Sequence, residues 1–256
     1  MNVQNLIYKV ASGGYSEKIF EFMDDFDYRR VRSSEDLNEI SNLRRRSYLS
    51  AHIYSDENRA MTDALDRDPD VFVFGAYHRN RLVSTVRIHI VNDANRGGNS
   101  RAFFSNILDP LLDQGLSFMD PTRFAIDPSI EDEIPGLPLI TLRLGFLAAK
   151  HFNCDYCLSM IKEGHGAFYR RTFQSSQIAP YSQFSAFTSK YALFSSPRSM
   201  EDVICARYPI FRSLAKEREM LFDAPKFGWP ANLSVKPTAR IATQIHNQIR
   251  LGMTAS

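Results

Sequence analysis

Two consecutive β-strand patterns constrain this chain most, because one of them carries an arginine at a position where a strand is usually apolar. Residues 71–78 (VFVFGAYH) and 81–90 (RLVSTVRIHI) are rich in β-branched and aromatic side chains. The linker Arg79-Asn80 between them predicts a β-hairpin. Arg87 lies inside the second strand. A buried charge costs free energy unless it is paired, so Arg87 needs a structural partner or a ligand.

A second set of charges stands beside another strand pattern. Residues 122–126 (TRFAI) predict a strand, and Asp120 and Arg123 flank its beginning. We therefore expect Asp120 and Arg123 together at the mouth of this strand. Charges at a strand end are typical of binding or catalytic sites, because strand ends face clefts in mixed sheets.

The remaining patterns predict a mixed α/β sheet covered by helices. A strand that ends near Val31 precedes a helix, which Ser33 and Asp36 begin as a loose capping box. Residues 103–116 predict a short helix or loop. Hydrophobic periodicity predicts further helices over residues 139–152 and 166–173, and further strands over residues 156–161, 177–187 and 190–194. The last two strands are expected to form a hairpin at the end of the sheet.

The C-terminal part changes character after about residue 198. Residues 200–222 predict one or two helices, and residues 238–251 predict an amphipathic helix with Ile241, Ile245 and Ile249 at four-residue steps. We expect residues 1–198 to form the main domain and residues 199–256 a helical extension packed on it. Contact of the last helix with a membrane surface is the alternative to packing.

Composition bounds the class of protein. A chain of 256 residues that is 44% hydrophobic and 23% charged has ordinary globular composition. Its apolar runs are shorter than the ~18 residues that a membrane-spanning helix needs, and its N-terminus lacks the apolar core of a signal peptide. We expect a cytoplasmic protein. Three cysteines are an odd number, so the sequence indicates no disulfide framework.

Several classes of enzyme are disfavoured because their motifs are missing from this sequence. Its six histidines form no HExxH pair, and it lacks a Walker A loop, a G-x-G-x-x-G and a G-x-S-x-G. Cys154 and Cys157 have metal-ligand spacing but no second pair, so we interpret them as structural. Residues 164–256 hold 12 basic and 5 acidic side chains, Arg170 and Arg171 among them. This excess predicts an acidic protein partner or a solvated face; no dense basic cluster indicates nucleic acid.

The charged residues and the aromatic residues between them form a spaced series that resembles a known family. In chain order the series consists of Arg44, Tyr48, Tyr54, Asp63, Asp66, Arg87, Asp120 and Arg123. It resembles the acyl-homoserine-lactone (autoinducer) synthases and the long-chain N-acyl amino acid synthases of the GNAT superfamily. The resemblance covers roughly residues 30–190. It implies a GNAT-like acyltransferase fold, to which the helical extension is added.

The departures from the pattern favour one branch of that family. Autoinducer synthases usually have tryptophan where Tyr54 stands and glutamate where Asp120 stands. Their C-terminal part is also usually shorter. The resemblance therefore favours an N-acyl amino acid synthase over an autoinducer synthase.

The implied reaction is the attack of an amine on an acyl thioester, with no tightly bound cofactor and no metal. Acetyl-CoA binding loops thread several glycines, whose N–H groups hold the pyrophosphate. Residues 127–138 offer only Gly136, beside three consecutive acids. The favoured co-substrate is therefore an acyl-phosphopantetheine on an acyl carrier protein rather than acyl-CoA. The acceptor is an amino acid or a related small amine.

The resemblance also implies roles for individual residues. Asp120 is the predicted base or amine anchor, Arg123 a second catalytic residue, and Tyr169 the donor of a proton to the departing thiolate. The predicted donor-binding residues are Phe124, Ala125, Ile126 and Gly136. The predicted acceptor-site residues are Arg44, Tyr48, Tyr54, Asp63, Asp66 and Arg87.

The sequence leaves two questions open. The arginines either hold the acceptor carboxylate by bidentate pairs or lock the N-terminal loop through the two aspartates. The domain is either an enzyme or an inactive GNAT-like binding module, and an acetyl-CoA acetyltransferase is a third candidate. Retention of both Asp120 and Arg123 favours an enzyme, because an inactive domain has no reason to keep charges at a strand mouth.

Overall fold

The structure is a computed structural model that describes residues 13–54, 56–68, 70–130, 133–134, 136–224 and 233–254, with the side chains of residues 17–252 within these ranges. The α-helices are α1 (Gly13–Asp24), α2 (Ser34–Ser50), α3 (Asn99–Leu112), α4 (Leu137–His151), α5 (Gly166–Phe173), α6 (Glu201–Arg207), α7 (Ala215–Phe222) and α8 (Ala239–Thr254). The strands are β1 (Phe26–Arg30), β2 (Val71–His78), β3 (Arg81–Val91), β4 (Phe118–Ile126), β5 (Tyr156–Lys162), β6 (Ser176–Gln177), β7 (Ser182–Gln183), β8 (Lys190–Pro197) and β9 (Ser234–Val235).

The described strands form one mixed sheet in the order β6-β8-β5-β4-β3-β2-β1-β9, with β7 also paired to β8. All pairs are antiparallel except β4 with β5, which are parallel. The predicted mixed α/β sheet is confirmed. The parallel pair at its centre is where the sheet opens.

Local signals determine the first half of the sheet. Ser33 and Asp36 form the predicted capping box, in which Ser33 Oγ accepts from the Asp36 N–H at 3.0 Å. β2 and β3 form the predicted hairpin. Its turn residues Arg79 and Asn80 have φ of 48° and 68°, the left-handed conformation that a two-residue hairpin turn requires.

Several sequence-based boundaries were wrong. α3 begins at Asn99, four residues before the predicted start at residue 103, and Gly98 precedes it in a loop that approaches β3 and β4 closely. A Cβ on Gly98 would lie 2.9 Å from Val91 Cγ2, and φ of Gly98 is 132°, so only glycine fits there. β4 begins at Phe118 rather than at Thr122. In the segment over 177–187, only two short pieces pair with β8.

Helix α4 occupies the centre of the protein. Buried residues surround it on all sides, which is typical of a helix packed between two layers. One side of α4 lies on the sheet, where Tyr28 Oη donates to the Ile140 carbonyl at 2.7 Å. On the other side, the buried Arg143 forms an ion pair with Glu217 of α7 and donates to the Ile210 carbonyl at 2.7 Å.

The C-terminal segment is therefore part of the core in this structure. Ile204, Phe211, Leu221 and Phe222 belong to the same hydrophobic cluster as the sheet and α4. The segment is not purely helical, because β9 pairs with β1 at the edge of the sheet. The predicted boundary at residue 198 stays a prediction.

Helix α8 exposes part of its apolar face. Ile241, Ile245 and Ile249 are 51%, 42% and 59% exposed. Within the described ranges, no helix combines the length and the apolar character needed to cross a membrane.

Candidate active site

A bulge in β4 distorts the sheet next to the predicted site residues. Thr85 and Arg87 of β3 pair with Ala125 and Thr122 of β4, so two residues of β4, Arg123 and Phe124, stand opposite one residue of β3. Arg123 has φ of 52°, which is rare for a residue with a side chain. Such a bulge bends the strand and leaves backbone groups outside the ladder.

The strands β4 and β5 separate just before this bulge. They pair only at Phe118 with Tyr156 and at Met119 with Cys157. Beyond Met119 a cavity of about 370 Å³ opens between them. Its walls include the β4 residues Pro121, Thr122, Arg123, Phe124, Ala125 and Ile126 and the β5 residues Ser159, Met160, Ile161 and Lys162. The split therefore gives a ligand access to unpaired strand backbone.

The predicted arginines and aspartates lie together below this cavity. Arg44 Nη1 donates to Asp66 Oδ1 at 2.9 Å, and Arg87 Nη1 donates to Asp63 Oδ1 at 2.6 Å. Arg123 Nη2 donates to Asp63 Oδ2 at 2.7 Å. We call these five residues the arginine lock. Arg44 and Arg87, whose side chains are fully buried, thus make the ion pairs that the loop lock requires.

The lock has electrostatic consequences. The pKa of Asp63 is lowered to about 2, because its hydrogen bonds and Coulomb attraction to Arg123 and Arg87 outweigh a burial cost that alone would raise it. Three guanidinium groups face two carboxylates, so the lock carries one excess positive charge. Arg123 is the member that lines the cavity. The excess charge therefore favours an anion on the cavity side of Arg123.

Tyr48 and Tyr54 form the wall of the cavity above the lock. Tyr54 Oη accepts a hydrogen bond from Arg123 Nη1 at 3.0 Å, and the Tyr54 ring packs edge-on against Tyr48. Tyr54 also pairs with Phe187 as an isolated β-bridge, and the Thr188 N–H donates to the Ile53 carbonyl at 3.1 Å. The loop after α2 is thereby joined to the loop before β8, and the two close one side of the cavity.

The predicted location of Asp120 was wrong. Asp120 lies inside β4, opposite His89 and fully buried, and it is not a lining residue of the cavity. Its carboxylate accepts from Ser100 N at 2.9 Å and from Ser100 Oγ at 2.6 Å, and burial raises its pKa. It therefore holds the first turn of α3, whose Asn99 and Phe103 line the cavity, and it does not pair with Arg123.

The predicted donor-binding residues divide into two groups. Phe124, Ala125 and Ile126 line the cavity. Gly136 does not line it; with φ of 76° this glycine forms the left-handed turn before α4, which explains why the sequence needs glycine there. In the same loop, Asp127 is paired with Arg46 at 3.2 Å and with Arg81 at 3.1 Å.

Tyr169 on α5 lines the cavity, as its predicted role requires. Burial raises the pKa of its phenol to about 12. At neutral pH the phenol is therefore protonated and can donate a proton.

The structure adds lining residues that the sequence did not single out. Basic side chains from three different segments reach the cavity, namely Arg59, Lys162 and His165. No carboxylate belongs to the described lining. The charge excess of residues 164–256 could not have identified them, because Arg59 and Lys162 precede that part of the chain and His165 is not counted in its charge.

The cysteines lie away from this cavity. Cys154, Cys157 and Cys205 are free, and burial raises the pKa of Cys154 and of Cys157 to about 12. A thiol with such a pKa is a poor metal ligand and nucleophile at neutral pH.

Comparison with solved structures places this arrangement in a known fold. The structure of FeeM, an N-acyl amino acid synthase from uncultured soil microbes, matches with a TM-score of 0.58 at 17% identity, over 70% of this chain and 93% of that chain. This likeness confirms the predicted GNAT-like acyltransferase fold. An acyl-CoA N-acyltransferase from Pseudomonas aeruginosa matches with a TM-score of 0.48 at 13% identity, over 67% of this chain and 98% of that chain.

A further solved structure is the CoA-dependent acyl-homoserine lactone synthase BjaI, with a TM-score of 0.47 at 14% identity, over 68% of this chain and 83% of that chain. No curated protein sequence matches the chain significantly. The family model for the N-acyl amino acid synthase FeeM matches residues 39–195, from α2 to β8. Since this match covers more than half of the sequence, the chain belongs to the FeeM family of N-acyl amino acid synthases and is an acyltransferase.

Proposed function

We propose that this acyltransferase moves a long-chain fatty acyl group from an acyl carrier protein thioester to the amino group of an amino acid. The observation that carries the proposal is the cavity at the split of β4 and β5, which has basic and aromatic lining residues and no carboxylate among the described ones. Such a site fits two substrates that each bring an apolar part and an anionic group.

The bulge in β4 supplies the place for the thioester. Beyond Met119 the edge of β4 that faces the cavity has no strand partner, so its N–H and C=O groups are available to an extended pantetheine arm, as in strand addition. A backbone N–H at the bulge is the candidate donor to the oxyanion that forms when the amine attacks. The phenol of Tyr169 is the candidate proton donor to the leaving thiolate.

The acceptor is proposed to bind with its carboxylate near Arg123. Arg123 joins the arginine lock to the cavity and has Tyr54 and Asp63 to fix its orientation. Arg59, stacked over the Tyr54 ring at 4.9 Å from its centre, is a second cation on the same side. An amino acid carboxylate there would balance the excess positive charge of the lock.

The carrier protein is proposed as the donor because unpaired cations lie on the elements that line the cavity. Lys162 lines the cavity itself, Arg170 and Arg171 follow Tyr169 on α5, and Lys190 precedes Tyr191 on β8. We call Lys162, Arg170, Arg171 and Lys190 the rim cations. None of the four forms an ion pair within the part of the chain that the structure describes, whereas Arg79, Arg96 and Arg240 on other surfaces are all paired with carboxylates. Unpaired surface cations beside a thioester site are suited to an acidic protein partner.

The decisive experiment is an acyl-transfer assay with purified protein. Long-chain acyl carrier protein and acetyl-CoA are offered separately with a mixture of amino acids, and the products are identified by mass spectrometry. We expect N-acyl amino acids from the carrier and slow or absent turnover with acetyl-CoA. Equal or faster turnover with acetyl-CoA would contradict the proposed donor, and a lactone formed from S-adenosylmethionine would contradict the proposed acceptor. The cytoplasmic location stays a prediction.

A further inference from the structure

The proposed reaction, on which this inference rests, requires a group that removes a proton from the acceptor nitrogen. An amine that attacks a thioester carbonyl gains a positive charge as the N–C bond forms. Unless a base takes a proton from the nitrogen, the amine leaves again more easily than the thiolate. The base must therefore lie at the cavity wall, within reach of the acceptor.

Most titratable groups of the cavity wall cannot accept that proton. Burial raises the pKa of Tyr48 strongly, and it raises the pKa of both Tyr169 and Tyr191 to about 12. These phenols are protonated at neutral pH. The guanidinium and ammonium groups of the wall are protonated too.

The carboxylates of Asp63 and Asp120 are also unsuitable as the base. Asp63 is bonded to Arg87 and Arg123, and a carboxylate whose pKa is about 2 is a weak base. Asp120 is enclosed between β4 and the first turn of α3, with its oxygens occupied by Ser100. Neither residue belongs to the described lining of the cavity.

One lining residue meets the requirement. His165 precedes the first residue of α5 and stands one helical turn before Tyr169, and both line the cavity. Its imidazole makes no side-chain hydrogen bond within the described residues, so its ring nitrogens are available. The imidazole is exposed to solvent on one side; desolvation where it meets the cavity wall, and secondarily the charge of Lys162, lower its pKa. The neutral ring therefore predominates at pH 7. The other titratable groups on this part of the wall are Lys162 and Tyr191, from β5 and β8.

We propose that the His165 imidazole receives the proton of the acceptor amine, while Tyr169 protonates the departing thiolate. The N–C bond forms, the C–S bond breaks, and the nitrogen loses one proton to His165. The thiolate takes the phenol proton of Tyr169. The imidazolium then returns its proton to the phenolate through water, so that both residues end in their starting states.

The test is the pH dependence of kcat/KM for the amino acid, measured with acyl carrier protein for the wild type and for His165→Gln. At pH 7 we expect the variant to lose about 10²-fold or more, the usual contribution of a positioned base. Below the pKa of the imidazole, the wild-type plot of log(kcat/KM) against pH should approach a slope of about two, because amine and imidazole must both be deprotonated. The variant should keep a slope of about one.

Controls separate this role from a structural one. His246→Gln changes an exposed histidine of α8 and should behave as the wild type. His165→Ala should recover activity when imidazole is added. A His165→Gln enzyme that is slowed equally at every pH, with an unchanged slope, would overturn the inference and leave His165 a structural role.

Two further outcomes are distinguishable. If Asp120→Asn lowers the slope of the plot at acid pH from about two to about one and His165→Gln does not, the base is the carboxylate and the inference is wrong. If the wild-type protein transfers no acyl group to any amine, the proposed function itself fails, whatever the variants do.

Discussion

The arginine lock and the rim cations use the same kind of side chain in opposite ways. In the lock, Arg44 and Arg87 are fully buried and hold Asp66 and Asp63. At the rim, Arg170 and Arg171 are exposed and have no carboxylate partner within the described residues. A buried charge is tolerated only when it is paired, whereas an exposed one remains hydrated and available. Paired arginines therefore shape the site, whereas the unpaired cations remain available for the proposed carrier protein.

Arg123 connects these two regions. It belongs to the lock through its bond to Asp63, and it is the lock residue that lines the cavity. The comparison is useful because each region predicts a different measurable effect. Changes at the lock residues that do not line the cavity should alter stability, changes at Arg123 should alter acceptor binding, and changes at the rim should alter donor binding.

The largest effect is expected from breaking the lock at Asp66. Asp66→Asn removes the carboxylate that Arg44 and Arg87 face, and an unpaired buried charge typically costs ~3–5 kcal/mol. We expect the free energy of unfolding in urea to fall by about that amount. Asp25→Asn, which breaks the exposed pair with Arg79, is the matched control and should cost ~0–1 kcal/mol. Equal losses in the two variants would show that the lock is not structural.

The next effect concerns Arg123. Arg123→Met removes a hydrogen bond to a charged ligand, worth about 1.5–3 kcal/mol, so KM for the amino acid should rise roughly tenfold to a hundredfold. KM for the corresponding decarboxylated amine should change little. The comparison of these two acceptors, in wild type and variant, is the measurement. If both KM values rise together, Arg123 does not recognise the carboxylate.

A smaller effect is expected at the rim. Reversing the charge with Arg170→Glu and Arg171→Glu should raise KM for the carrier by up to about fivefold for each ion pair lost, and it should weaken the salt dependence. Turnover at saturating carrier should stay the same. Arg207→Glu makes the same change at an exposed arginine of α6, a helix that contributes no residue to the described lining of the cavity, and it should leave KM unchanged. An equal rise in all variants would indicate general charge attraction and no docking site.

The smallest effect concerns pH. The pKa of Asp63 is lowered to about 2 in the folded protein, against ~3.9 in an unfolded chain. Its ionised form therefore stabilises the fold above about pH 4, and this contribution is lost as the pH falls toward 2. The difference in unfolding free energy between wild type and Asp63→Asn should shrink over that range. Asp56→Asn, on the same loop, is the control, because Asp56 forms no ion pair with Arg87 or Arg123. A constant difference for Asp63→Asn would contradict the linkage.

The local elements of the fold could be predicted because their signals are local. The hairpin of β2 and β3 follows from two β-branched runs and a two-residue linker, and the start of α2 follows from Ser33 and Asp36. The start of β4 was missed because Met119 and Asp120 do not look like strand residues. Asp120 is tolerated inside the strand only because Ser100, 20 positions away, satisfies its carboxylate.

The site was only partly predictable for the same reason. The spacing of Arg44, Asp66, Arg87 and Arg123 identified residues that do lie together, but it could not choose between a loop lock and a carboxylate clamp. His165 was not singled out, since no motif surrounds it. Its candidate role appears only when β5 and α5 bring it to the cavity wall beside Tyr169.

The sequence by itself determined the mixed α/β class, the hairpin, the capped helix and the family resemblance, because hydrophobic periodicity, turn residues and residue spacing are properties of neighbours along the chain. Only the tertiary structure decided which charges are paired, where the sheet opens and which side chains face the cavity. Burial and long-range pairing set the energy of a charge, and neither is visible from its neighbours in sequence. For that reason Asp120 and His165, both polar residues next to strand patterns, are enclosed in one case and available for chemistry in the other.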